Sequence, residues 1–167
     1  MHAENQNFKS GRYQFIPRVL VFAIREDKIL LIKGAPDKKI WANLYNGIGG
    51  HIEQGESVIA AAKREFLEET GIELIDPILR LIISIDTNQD PGICLFVFRG
   101  SVGNGNFTRS KEGDLEWIDP KMIEQLPAVD DLMTIVPKIL ENKKSKSILY
   151  AHYKYNQKGE ILIMFDE

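Results

Sequence analysis

The stretch Asn46 to Leu74, NGIGGHIEQGESVIAAAKREFLEETGIEL, joins a glycine-rich loop to a helix that carries carboxylates on its own apolar side. The helix is expected over about Glu56 to Thr70, with Gly71 as the left-handed residue that ends it. At about 100° per residue, Val58, Ala61, Ala62 and Phe66 form one inward stripe. Glu65 and Glu69 fall within about 20° of the middle of that stripe, and Glu68 falls on its edge. Leu67 points the other way and needs a different neighbour.

This pattern breaks local rules. Glu65 and Glu69 repel as an i,i+4 pair, by about 0.2–0.5 kcal/mol on any helix. They also sit in the last turns, where the helix dipole disfavours negative charge. Burying either one unpaired costs far more. Broken local rules mark functional sites, and hard divalent cations such as Mg²⁺ or Mn²⁺ would remove the repulsion. A solvated acidic face, with Arg64 as a simple partner of Glu68, is the plain alternative. The preceding GGHIEQGE argues against it. Its glycines let backbone groups approach a ligand closely, and Glu53 and Glu56 add oxygen donors.

Around this unit, strands and hairpins alternate with helices. RVLVFAIRE and KILLIK read as a hairpin turning at Asp27–Lys28. ILRLIISIDT and GICLFVFRGSV read as two strands across the turn NQDPG, and LEWID as a short strand. Pro120 opens a short helix through Gln125, and a longer helix is expected between Val129 and Asn142, with Pro137 as a kink or N-terminal position. SILYAHYKY, NQKG and EILIMF make a last hairpin. It could cover the core or pair across a dimer, and the core is favoured. The expected class is α/β with a mixed sheet: a loose lead-in at 1–17, then a single domain over 18–167 that includes the hairpin at 147–165.

Composition narrows the function. The net charge of −3, from 24 acidic and 21 basic residues, does not suit a protein that coats a nucleic-acid polymer. No run of roughly 18 apolar residues exists, so no membrane span is expected. The N-terminal MHAENQNFKSGRYQF lacks an apolar signal core, so the expected compartment is the cytoplasm. Cys94 is the only cysteine, which excludes an intrachain disulfide; in GICLFVF it reads as a core residue. His2, His51 and His152 are scattered, so a Cys/His zinc site is not expected. Oligomeric state is not legible.

Gly50, Glu56, Arg64, Glu65, Phe66, Glu68, Glu69, Gly71 and Ile72 reproduce, position for position, the signature of the Nudix hydrolases, and the chain resembles that family. The resemblance implies an α/β/α sandwich and hydrolysis of a nucleoside diphosphate linked to another group, with Mg²⁺, or Mn²⁺, as cofactor. It makes Glu65 and Glu69 the central metal ligands, with Glu68 helping and the Gly49 carbonyl as a further candidate. Arg64 would orient the glutamates. Glu112, in SKEGDLEW, would be a ligand or the general base, or a solvated loop charge.

LYNGIGG further resembles the branch that hydrolyses oxidised purine nucleoside triphosphates such as 8-oxo-dGTP. That likeness makes Asn46 a base reader, since its amide both donates and accepts, and Asp130 and Asp131 the purine-binding pair. Asn46 as a turn residue, and the aspartates as a helix N-terminus, remain alternatives. Lys33 could contact phosphates or simply end a strand; Trp41, Tyr45 and Trp117 could stack on a base or fill the core. The expected partner is a small nucleotide. ADP-ribose, a dinucleoside polyphosphate or a pterin triphosphate are the other substrates in view, and a non-catalytic nucleotide sensor is the rival from another class.

Overall fold

Arg25 and Lys28 pair directly, so only Glu26 and Asp27 are left to reverse the chain between β1 (Phe15–Arg25) and β2 (Lys28–Gly34). Both adopt positive φ, 50° and 64°, as a two-residue turn between right-twisted strands requires. The turn therefore lies one residue earlier than Asp27–Lys28. The computed structural model describes residues 11–103, 105, 107, 110–141 and 147–166. The expected helix end at Asn142, part of the lead-in and parts of the loops at 103–112 and 141–147 lie outside them.

β1 and β2 stay paired only beside their turn and then diverge. The next two strands fill the split. β3 (Tyr45–Asn46) pairs with β2, and β4 (Ile48–His51) pairs with Arg18–Val21 of β1. Gly47, between them, sits so close to the Phe22 ring and Leu20 that a side chain would collide with both. On its other edge β1 runs parallel to β6 (Gly92–Val102), which pairs antiparallel with β5 (Leu74–Ile85). The last hairpin, β8 (Leu149–Tyr155) and β9 (Ile161–Phe165), extends the sheet beyond β5, while β7 (Gly113–Ile118) borders β2. The order is β3-β2-β1-β6-β5-β8-β9, a mixed sheet.

Alternation along β1 divides the core into two layers. Val19, Val21 and Ala23 face α1 (Val58–Thr70) and pack with Ala61, Ala62 and Phe66. Leu20 and Phe22 face α2 (Leu132–Leu140) and pack with Leu132, Ile135 and Ile139. The result is the α/β/α sandwich. α1 is locally specified. Ser57 Oγ accepts from the Ala60 amide at 3.2 Å, and Gly71 (φ 73°) donates its amide to the Leu67 carbonyl. The helix thus starts just after Ser57, and Leu67, on the far side, is exposed.

α2 starts at Leu132 rather than Val129 because the preceding segment is pinned to β3. The Tyr45 amide donates to the Pro127 carbonyl at 2.8 Å, and the Val129 amide to the Tyr45 carbonyl at 3.1 Å. Pro137 lies within the helix. Pro120–Gln125 forms a 3₁₀ turn capped by Asp119. Ala151 and Tyr153 of the last hairpin are buried against the α2 side of the core. Cys94 is half-buried rather than fully enclosed, and burial pushes its thiol up.

Candidate active site

The end of α1 meets the glycines of β4. Any side chain at Gly50 would overlap the Glu65 carboxylate, and one at Gly49 would strike the Val19 backbone. Glycine is thus required for the helix acids to reach the strand. Arg64 ties this unit together. Its Nε and Nη2 grip both oxygens of Glu56, each at 2.9 Å, and Nη2 also donates to the His51 carbonyl at 2.9 Å. Its Nη1 pairs with Glu65 at 3.0 Å and Glu68 at 3.3 Å. The guanidinium holds the Glu56 carboxyl below the usual carboxylate range. Arg64 is therefore spent on glutamates and backbone, not on the cavity.

Glu69 has no such cation. Burial first, then the charges of Glu112 and Glu65, push its carboxyl up to about 8, against a weaker downward pull from Lys38. Glu112 stands within electrostatic reach of it, paired with Lys38 at 2.6 Å. Glu68 is exposed. Among the described residues, no three His, Cys, Asp or Glu side chains stand close enough to cage an ion by themselves. Mg²⁺ keeps several waters and takes one or two carboxylates, so such a cage is not required. Crowded, partly buried carboxylates beside the β4 backbone form a hard-oxygen donor set.

From this acidic end a cavity of about 350 Å³ runs through the split between β1 and β2, a size suited to a small-molecule ligand. Asn46 and Gly49 line it, and so do Asp130 and Asp131. The clamp of residues 127–129 on β3 brings the aspartates to the same cavity as Asn46. Asn46 Oδ1 accepts from the Gly47 amide at 2.7 Å, which fixes the side-chain amide's orientation. Asp131 occupies the N-cap of α2 but makes no side-chain capping bond. Burial, mainly, pushes its carboxyl up.

Lys33 does not line the cavity. Its ammonium lies 5.7 Å from the Tyr45 ring centroid. Tyr45 is buried and donates to Glu116 at 2.9 Å. Trp117 packs on Phe107 and under Arg25, on the α1 side of the sheet. Of the three candidate stacking aromatics, Trp41 alone reaches the cavity wall.

The sequence did not point to Arg18, Lys38 or His51, nor to Tyr153, Tyr155 and Ile161 of the last hairpin, all of which line the cavity. Tyr153 Oη is buried, and burial first, then the charge of the neighbouring Asp131 and a hydrogen bond to it, strengthen its hold on its proton. The two-residue spacing in HYKY puts Tyr153 and Tyr155 on one face, which was the available signal.

Comparison with known proteins agrees with this architecture. The NUDIX domain family matches residues 14–139. An uncharacterized Nudix hydrolase of Bacillus subtilis is 30% identical over 142 residues, covering 82% of this chain and 85% of its own. The oxidized purine nucleoside triphosphate hydrolase of Mus musculus is 28% identical over 148 residues, covering 86% and 88%. The crystal structure of a MutT mutator protein from Bacillus halodurans superposes with a TM-score of 0.76 at 27% identity, covering 91% of this chain and 98% of that one. No helix among the described residues is long and apolar enough to cross a membrane. The chain belongs to the Nudix family and is a Nudix hydrolase, an enzyme of phosphoric anhydrides in a family that generally needs a divalent metal.

Proposed function

We propose that this hydrolase is a Mg²⁺-dependent pyrophosphohydrolase of oxidised purine nucleoside triphosphates, such as 8-oxo-dGTP, releasing the monophosphate and pyrophosphate. One observation carries the reading. Asn46 and the Asp130–Asp131 pair line the same cavity, and that cavity opens onto Glu69, Gly49 and Gly50. A base held by the amide and carboxylates would place its phosphates at the glutamates. The 28% identity to the mouse enzyme named for oxidised purine nucleoside triphosphates points the same way.

Glu65, Glu69 and the Gly49 carbonyl would hold the metal, with Glu68 at the exposed edge; Mn²⁺ fits the same donors. When bound, the ion supplies charge neutralisation at the phosphate oxygens and lowers the pKa of a coordinated water. The chain's own residues do the rest. Arg64 locks Glu56, Glu65 and His51 into one frame. Glu112, held by Lys38 near Glu69, would accept a proton from the attacking water or serve as a further ligand. Asn46 and the aspartates select the base by donor and acceptor pattern. Lys33, over Tyr45, has no part in this scheme.

The test is a panel of 8-oxo-dGTP, dGTP, ADP-ribose and a diadenosine polyphosphate, with and without Mg²⁺, following monophosphate and pyrophosphate. Preference for 8-oxo-dGTP is expected. Preference for another member would reassign Asn46, Asp130 and Asp131 to structural roles. No turnover of any would favour a nucleotide sensor.

A further inference from the structure

We propose that Arg18 is a phosphate-chain contact of the substrate. The proposal rests on the reading above only in taking the ligand to be a phosphate-bearing nucleotide. Arg18 lies on β1 directly opposite His51 of β4, one residue from the pair Val19–Gly50. It lines the cavity at the end that holds Gly49, Gly50 and Glu69. Its Nε is buried without a hydrogen-bond partner, and no carboxylate among the described residues pairs with it.

Leaving a guanidinium N–H buried and unsatisfied is unfavourable, and native proteins keep few such groups. On a residue that lines the cavity, such a group marks a place completed by a polar ligand. The charge balance says what kind at Arg18. The other basic side chain that lines the wall with a fixed positive charge, Lys38, is already engaged by Glu112. Arg18 is thus a positive charge without a counter-ion beside the acidic end. A phosphate offers two oxygens to the guanidinium fork at once, and it reaches this point on its way from the base pocket to the glutamates.

The test is calorimetric titration of the Mg²⁺-loaded wild type, Arg18→Met and Arg18→Lys with tripolyphosphate, 8-oxo-dGMP and 8-oxo-deoxyguanosine. A charge-assisted contact corresponds to a loss of roughly 10- to 100-fold. Arg18→Met is expected to lose that much affinity for tripolyphosphate and 8-oxo-dGMP, with the nucleoside unchanged within about twofold. Arg18→Lys, which keeps the charge but not the fork, is expected to recover part of it and carries the test if the Met variant does not fold. Equal losses for nucleoside and nucleotide would overturn the proposal, as would unchanged tripolyphosphate binding in Arg18→Met or none in the wild type. Failure of the base reading shows separately, as a wild type that binds 8-oxo-dGMP no better than dGMP.

Discussion

Glu69→Gln should make the metal-free protein more stable at neutral and alkaline pH while removing its turnover. The carboxyl holds its proton up to about 8 in the folded chain, against an ordinary value of 4.5. Its contribution is therefore fully present below 4.5 and is lost as the pH rises through about 8. The gap between those values, at about 1.4 kcal/mol per pH unit, bounds the loss at about 5 kcal/mol. Between pH 5 and pH 8 the loss would be about 3–4 kcal/mol by the same linkage. Residual solvent contact lowers the expectation to about 2–3 kcal/mol, or roughly 4–12 °C in Tm for a chain of this size. Glutamine keeps the shape without the charge, so its curve should be flatter. Urea unfolding in EDTA at pH 5 to 9, wild type against variant, measures this directly. Asp131 also titrates upward, but it is common to both proteins and cancels in the difference. Adding Mg²⁺ at pH 8 should restore the wild type and change the variant little, because the ion stabilises only the state that binds it. Parallel curves from pH 5 to 9 would refute the reasoning, since they would mean that Glu69 is ionised at no cost in the folded chain.

Three further outcomes follow from the same geometry. Arg64→Lys removes the fork that joins Glu56, Glu65 and His51; about a 10- to 100-fold loss of activity or metal affinity is expected, with helix content by circular dichroism unchanged. Gly50→Ala forces the Glu65 carboxylate away from β4, so the Mg²⁺ concentration for half-activation should rise about tenfold or more. Asn46→Ala should collapse the ratio of 8-oxo-dGTP to dGTP hydrolysis, by about 1–3 kcal/mol of lost discrimination, with the Mg²⁺ dependence preserved; an unchanged ratio would end its assignment as a base reader.

What the sequence disclosed and what it withheld divide along the range of the interactions involved. α1 was legible because its stripe, its Ser57 and Gly71 caps and its misplaced glutamates lie within one short segment. The strands were legible individually, since alternation is also local. The split between β1 and β2 was not, because it depends on β3 and β4 each choosing a different neighbour. That choice creates the cavity. Arg18 and Leu20 join its wall, while Lys33 lies over Tyr45 outside it. Tyr153 arrives from the far end of the chain through β8 pairing with β5, a contact no local pattern encodes. Within the candidate site, the acidic end is written in one contiguous motif and the ligand-facing wall is assembled by pairing register. Metal chemistry can therefore persist wherever the motif does, while substrate choice depends on strands and hairpins that the motif does not specify. Asp130 and Asp131, brought to the cavity by the clamp of residues 127–129 on β3 rather than by the motif, are where this chain's own specificity should be sought.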